Sequence, residues 1–293
     1  MMGRIYKPDH PHMAAHLFAG WQETMILSCL QGIMGEIYIS EPRALGTCGK
    51  ILQADTFPTD ARPLSAAAML GDFCFLAGEP DAELAAFTPE GRDRDFRILV
   101  PRERSQNTTD EPAGPPYPAG RTWGRAIRQI YGDKARRVTR YAIKKEPGVW
   151  EMHRLRAAVA ALPPEYELRL IDEELFGQCR ESEWSRDLVA QFRAYGLYRE
   201  WGLGAVVLRG REIVSGASSY SAYRGGIEIE IDTREDYRRK GLAYVCGARL
   251  ILECCARGLY PSWDAHNLWS VALAEKLGYH LDRVYDAYEI GGQ

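Results

Sequence analysis

Three carboxylates stand at every second position of one short run, Glu228, Glu230 and Asp232, interleaved with Ile227, Ile229 and Ile231. That alternation is the period of a half-buried strand, so the acids share one face and the isoleucines the other. Residues two apart on a strand face lie about 6.5–7 Å apart, and like charges at that spacing disfavour ionisation. At least one of the acids should hold its proton more tightly than a free carboxylate does, which suits a proton acceptor working near neutrality. The competing reading is an acidic face that only keeps a sheet soluble. Just downstream comes Arg238-Arg239-Lys240-Gly241-Leu242-Ala243, after which the period changes. Leu242, Val245, Cys246, Leu250 and Cys254 recur every three or four positions, Arg249, Glu253 and Arg257 form a polar stripe, and Gly258 stops the helix. A strand that feeds a basic, glycine-bearing turn and then a helix N-terminus presents free backbone N–H groups to an anion. Phosphates would lie on the amides of Arg239 to Ala243, with Arg238, Arg239 or Lys240 adding charge.

Around these residues the chain reads as strand 166–171, helices 173–179 and 183–198, and strands 204–209, 212–223 and 226–233. The helix from 242, a strand 260–265, a helix 268–277 and closing strands over 279–290 follow. A helix between positions 233 and 260 makes the strands it joins parallel, within a mixed and mostly antiparallel sheet. Upstream, 1–12 is a polar arm and 13–34 an amphipathic helix, with strands at 35–40 and 66–77, the latter turning at Gly71-Asp72. His12 and His16 share a helical face, but no HExxH-type motif accompanies them, and a solvated terminus is preferred to a metal site. Proline and glycine exclude regular structure from 102 to 120. A helix at 123–131 and a basic strand at 135–145 come next, read as a solvated face in preference to an anion contact. Pro147-Gly148 breaks the chain before a helix at 149–162. The expected division is an N-terminal α/β lobe, 1–148, and an α+β domain, 149–293.

The 293 residues carry a formal charge of −3 and are 46% hydrophobic, an ordinary globular balance that excludes a strongly basic nucleic-acid binder. Seven cysteines with no CxxC pair suggest neither a disulfide framework nor a zinc ribbon, and reduced thiols point to the cytoplasm. No membrane span or secretion leader is read. Gly202-Leu203-Gly204 precedes its strand, the reverse of a dinucleotide fingerprint, and neither GK[ST] nor GxSxG occurs.

The RxxGxA turn in its strand–turn–helix setting resembles the pyrophosphate loop of the GCN5-related N-acetyltransferase (GNAT) superfamily. Asn267-Leu268-Trp269-Ser270 and Ala274-Glu275-Lys276-Leu277-Gly278-Tyr279 resemble its later N-x-x-S and E-K-L-G-F/Y elements. The resemblance is strong over 164–290 and fainter before it. Gly216 to Tyr220 and Tyr260 to Asn267 are similar to a subgroup that includes zwittermicin A resistance acetyltransferases. The resemblance implies the GNAT fold, with a degenerate GNAT-like half as one reading of the N-terminal lobe, and acetyl-CoA as cosubstrate with no metal. It also implies a pantetheine arm lying along the backbone of Ile231, Asp232 and Thr233, and Asn267 holding the cofactor's amide. Glu228 falls where the superfamily's usual base lies, and a bulge in the strand would promote Glu230. Ala274 occupies the position of the usual tyrosine acid, which leaves Ser270 as the acid or as an ordinary first-turn helix residue. The acceptor implied is a small-molecule amine, such as an amine-bearing antibiotic. The alternatives are a non-catalytic acyl-CoA-binding module and an acetyltransferase of protein N-termini or lysines.

Overall fold

Alternating apolar residues and well-placed breakers build most of the elements, described in a computed structural model over residues 5–40, 63–91, 96–102 and 122–291. In chain order they begin with β1 (Ile5–Tyr6), α1 (Thr24–Leu30), β2 (Glu36–Ser40), β3 (Ser65–Leu70), β4 (Phe73–Gly78) and α2 (Ala82–Ala86). Then come β5 (Phe96–Pro101), α3 (Trp123–Tyr131), β6 (Ala135–Ile143), α4 (Met152–Ala160), β7 (Glu167–Leu170), α5 (Glu173–Glu181) and α6 (Tyr195–Trp201). The remainder is β8 (Gly204–Arg209), β9 (Glu212–Tyr223), β10 (Gly226–Thr233), α7 (Leu242–Ala256), β11 (Tyr260–Ser262), β12 (Asp264–Ala265), α8 (Leu268–Lys276) and β13 (Leu281–Gly291).

The chain divides into two compact units, one of residues 1–21, 29–138 and 286–293, the other of 22–28 and 139–285. The expected 148/149 division follows the chain, whereas both units are discontinuous in sequence.

In the first unit β2, β3 and β4 form an antiparallel meander and β5 lies parallel to β4. Its core gathers Tyr38, Met69, Leu76, Leu99, Trp123 and Ile127. The second unit repeats the plan with longer elements. Its sheet runs β11-β10-β9-β8-β7, antiparallel except where β11 lies parallel to β10. The parallel pair follows from the α7 crossover, as the sequence implied.

α7 buries the stripe its spacing predicted: Leu242, Val245, Cys246, Leu250 and Cys254 are all buried. Each buried leucine contributes about 1.5–3 kcal/mol. Its outward face carries the Arg249–Glu253 pair at 2.7 Å, one turn apart. Gly247 lets the helix lie close to its neighbours, since a Cβ there would stand 2.8 Å from the Leu277 side chain.

Two expected helices differ. The segment 13–34 is a 3-10 turn, Pro11–Phe18, and then α1, because Gly20 turns the chain at φ 76°. The segment 183–198 becomes a 3-10 turn, Arg186–Leu188, and then α6, with Leu188 and Phe192 fully buried. Tertiary burial of those two side chains outweighs the helical spacing that linked them. The 279–290 region is one strand, β13. Of the proline-rich stretch, residues 103–120 lie outside the described residues.

β10 and β11 meet closely at one end: a Cβ on Gly226 would stand 2.0 Å from the Tyr260 carbonyl oxygen. Gly226→Ala is expected to cost about 3 kcal/mol, the upper end of what overpacking costs, read as a lowered denaturation midpoint. An unchanged midpoint contradicts that close approach.

Candidate active site

β10 and β11 stay paired for only three residues, Gly226–Tyr260, Ile227–Pro261 and Glu228–Ser262. Beyond them β11 is drawn off. Asp264 and Ala265 pair with Ala142 and Tyr141 of β6. Arg140, 8% exposed, grips the Asp264 carboxylate at 2.7 Å, and the Tyr285 hydroxyl donates to it at 2.8 Å. A buried carboxylate needs such partners. Arg140 is therefore a structural ion-pair member, not part of a solvated basic face, while Arg136 and Arg137 remain exposed and pair with Glu289 and Asp286.

Once β11 has left, no strand among the described residues pairs with that edge of the far half of β10. The amide of Ile231 donates to Glu230 Oε1 at 3.2 Å and that of Thr233 to Asp232 Oδ1 at 2.6 Å. These are local arrangements that an incoming carbonyl group can replace. Along this edge the strand leads straight to the basic turn.

In that turn Arg239 and Gly241 both have left-handed backbones, φ 61° and 81°. Gly241 caps α7 without any side-chain hydrogen bond, and the first helical bond is made by the Val245 amide to the Gly241 carbonyl at 3.2 Å. The amides of Leu242, Ala243 and Tyr244 thus precede the helical ladder and form its positive end. Residues 238 to 241 are exposed, and a Cβ built on Gly241 meets nothing within 4 Å. The side chains brace the turn: Arg238 Nε donates to the Thr233 carbonyl at 3.2 Å, and Lys240 Nζ lies 4.3 Å above the Tyr237 ring. The corresponding helix of the first unit, α2, is capped by Asp81, which accepts from the amides of Glu83 and Leu84. A carboxylate already occupies the position where an anion would sit.

All three strand acids have raised proton affinity. Glu228 is 4% exposed, and burial is the main cause, opposed by Lys145 and by the hydroxyl of Thr24, which donates to Glu228 Oε2. Glu230 is half-buried and is pushed from the usual 4.5 to about 8, first by burial and then by Asp187 and Asp232. Asp232 is raised by burial, eased by the Thr233 amide and by Arg238. The ladder to β9 shifts register between Glu228 and Ile229, where Ser221 and Ser219 are the successive partners and Tyr220 is the extra residue. The bulge lies on β9, so the acids keep their common face. Of the two candidate bases, Glu230 is the more open and Glu228 is enclosed.

On α8, Asn267 is the N-cap: Oδ1 accepts from the Ser270 amide at 2.9 Å, and Nδ2 meets His266 Nε2 at 2.8 Å. Ser270 Oγ accepts from Trp263 Nε1 at 3.1 Å. An indole nitrogen only donates, so the Ser270 hydroxyl keeps its own proton to give. Thr24, Asp187, Arg140 and Tyr285 escape sequence reasoning because they come from segments outside the motifs, and Asp264, though inside one, gives no sign there of its partners. Tertiary packing, not spacing, brings them in. Among the described residues no group of three or more histidines, cysteines or acids is placed to hold a metal, and no helix is long and apolar enough to cross a membrane.

A family profile described as GNAT acetyltransferase matches residues 15–288. The crystal structure of a GCN5-related N-acetyltransferase-like protein from Streptococcus suis is similar with a TM-score of 0.77 at 42% identity, over 96% of this chain and 98% of that one. The uncharacterized N-acetyltransferase YdfB of Bacillus subtilis is 28% identical over 208 residues, 68% of this chain and 74% of its own. A tandem GNAT protein from the clavulanic acid biosynthesis pathway aligns over 100% of both chains with a TM-score of 0.52 at 11% identity, a likeness of fold alone.

Because Glu230 binds its proton more tightly folded than unfolded, the folded state holds the extra proton between pH 4.5 and about 8. Stability from this group therefore falls as pH rises through that window. Glu230→Gln should remove the loss, so its denaturation midpoint gains on the parent's between pH 5 and 8.5. A difference that stays flat over that range contradicts the raised affinity.

Proposed function

The chain belongs to the GNAT acetyltransferase family, and from that premise we propose that it moves an acetyl group from acetyl-CoA to the amine of a small molecule. The observation that carries this reading is the continuity of one path: open strand edge, basic turn, uncapped helix N-terminus, with a raised-affinity carboxylate beside it. Acetyl-CoA supplies an acetyl thioester, already activated toward an amine. The residues fit it. The amides of Gly241 to Tyr244, backed by Arg239, suit a pyrophosphate, and Ile231 to Thr233 offer main-chain groups to a pantetheine arm in the manner of an added strand.

Glu230 is the proposed proton acceptor. An ammonium must lose its proton before its nitrogen can attack, and a carboxyl titrating near 8 is well matched to that transfer. Ser270 is the proposed donor to the departing sulfur, its hydroxyl hydrogen left free by the Trp263 indole. Asn267 orients α8 through its cap, and its second amide hydrogen can meet the cofactor. Asp187 and Asp232 give the acceptor side a negative field, which favours a cationic amine. A small acceptor fits the half-buried position of Glu230 better than an exposed peptide does. Similarity of residues 216–220 and 260–267 to antibiotic-resistance acetyltransferases supports an amine-bearing natural product as one such acceptor. Six free thiols among the described cysteines fit a reducing cytoplasm.

Thiol release from acetyl-CoA with 1,4-diaminobutane, glucosamine and an unblocked peptide tests the class. Turnover with a small amine, lost about 10²-fold or more in Glu230→Gln, is expected; turnover with the peptide alone contradicts the proposal. Gly241→Asp should weaken acetyl-CoA binding at least about tenfold, some 1.4 kcal/mol, by calorimetry, through charge at the phosphate seat. Gly241→Asn, of the same size but neutral, should weaken it far less. Equal effects of the two would make the loss steric.

A further inference from the structure

Glu228 is the most deeply placed acid of the second unit, and three hydroxyls from three separate segments surround it. Thr24, on α1, donates to Oε2. Ser221 and Ser262 are its cross-strand neighbours on β9 and β11. All three side chains belong to residues that are at most 5% exposed. Ser221 Oγ, Ser262 Oγ and Glu228 Oε1 are each buried without a hydrogen bond of good geometry, and Ser262 is near enough to ease ionisation of the carboxyl. Beside Glu228 opens a crevice of about 10 Å³, lined also by Gln22, Lys145, Asp264 and Arg283. That is room for one water molecule, with the Glu228 carboxyl among the groups that line it.

Orphan hydroxyls are costly in a core, about 1–3 kcal/mol each, unless they serve the charge between them. A carboxylate accepts from every hydroxyl at once, whereas a protonated carboxyl must itself find an acceptor. We infer that Thr24, Ser221 and Ser262 form a collar that holds Glu228 as a buried carboxylate, whose charge is felt by Glu230 two residues along the same strand face. These four are positioning residues: they act on Glu230 and touch no reacting atom. This inference rests on the reading of Glu230 as the proton acceptor only for its catalytic consequence, not for its electrostatics.

The charged and titratable surroundings are consistent with it. Lys145 and Asp264 face Glu228 with opposite signs, and Tyr223, Tyr260 and Tyr279 sense its charge. Glu23 and Asp282 line the crevice but are paired with Arg283. Glu230 faces Asp187, Asp232 and Arg140. Of the Arg140–Asp264 pair, the carboxylate acts on Glu228 and the guanidinium on Glu230.

The test is a ¹³C NMR titration of the full chain labelled at glutamate carboxyls, with Glu228→Gln and Glu230→Gln identifying the two signals. Glu228→Gln should lower the Glu230 midpoint by about one to two pH units, the repulsion expected at strand spacing in a protein-like dielectric. Thr24→Val and Ser262→Ala should raise the midpoint of Glu228 itself, since a hydroxyl given to the charged form favours it. Thr24→Ser should restore it. A Glu230 midpoint unmoved by Glu228→Gln, or a Glu228 midpoint unmoved by loss of the hydroxyls, overturns the inference. If the midpoints move as stated while the acid limb of thiol release with 1,4-diaminobutane stays fixed, the collar stands and Glu230 is not the proton acceptor.

Discussion

Everything at the site depends on two parallel strands that part after three paired residues. Had β11 followed β10 to its end, the amides of Ile231 and Thr233 would belong to a ladder and the acid face would lie in a closed sheet. Instead the Arg140–Asp264 ion pair and the short ladder to β6 hold residues 264 and 265 on another course. Breaking a buried pair by removing one partner costs several kcal/mol, so this divergence is fixed by the fold and does not wait for a ligand. Polar groups that would ordinarily be spent on the sheet become available to whatever enters the opening.

The same parting sets the electrostatics. Glu228 lies at the last paired position and is sealed by neighbours on both sides. Glu230, one step beyond, is half open to the gap. Both are driven toward the protonated form by poor solvation, but hydroxyls and Lys145 act on the first, and other carboxylates act on the second. Two identical side chains on one face therefore acquire different proton affinities and different access. That difference follows from where β11 leaves.

How much of this the sequence carried can be argued residue by residue. The strand period of 227–232, the glycine of the turn and the apolar stripe of α7 are local signals. Each appears in the structure where its spacing placed it. What separates Glu228 from Glu230 was not local, because Glu228 is enclosed by β11 and by Thr24, two hundred residues upstream. Arg140 read as part of a basic surface run, since nothing in Arg136 to Lys145 says that one of its cations will be buried against Asp264. The helix expected over 183–198 failed for a related reason: Leu188 and Phe192 repeat like helix residues but are buried by different neighbours. The motif at 267–270 was visible, whereas the cap on Asn267 and the indole bond on Ser270 required coordinates to separate from a direct role.

The first unit offers an internal contrast. It repeats the meander, helical crossover and parallel strand of the second, yet its crossover helix is five residues long and begins under an aspartate. The second has a fifteen-residue helix that begins at an exposed, uncapped glycine. One plan leaves the first amides of its crossover helix without a side-chain cap, and the other satisfies them with an aspartate. An amide-detected NMR titration with coenzyme A puts this most directly to the test. The account predicts that the largest shifts fall on the amides of residues 239–244 and on Ile231 and Thr233, while Glu83 and Leu84 stay still. Shifts centred away from the α7 N-terminus would contradict it.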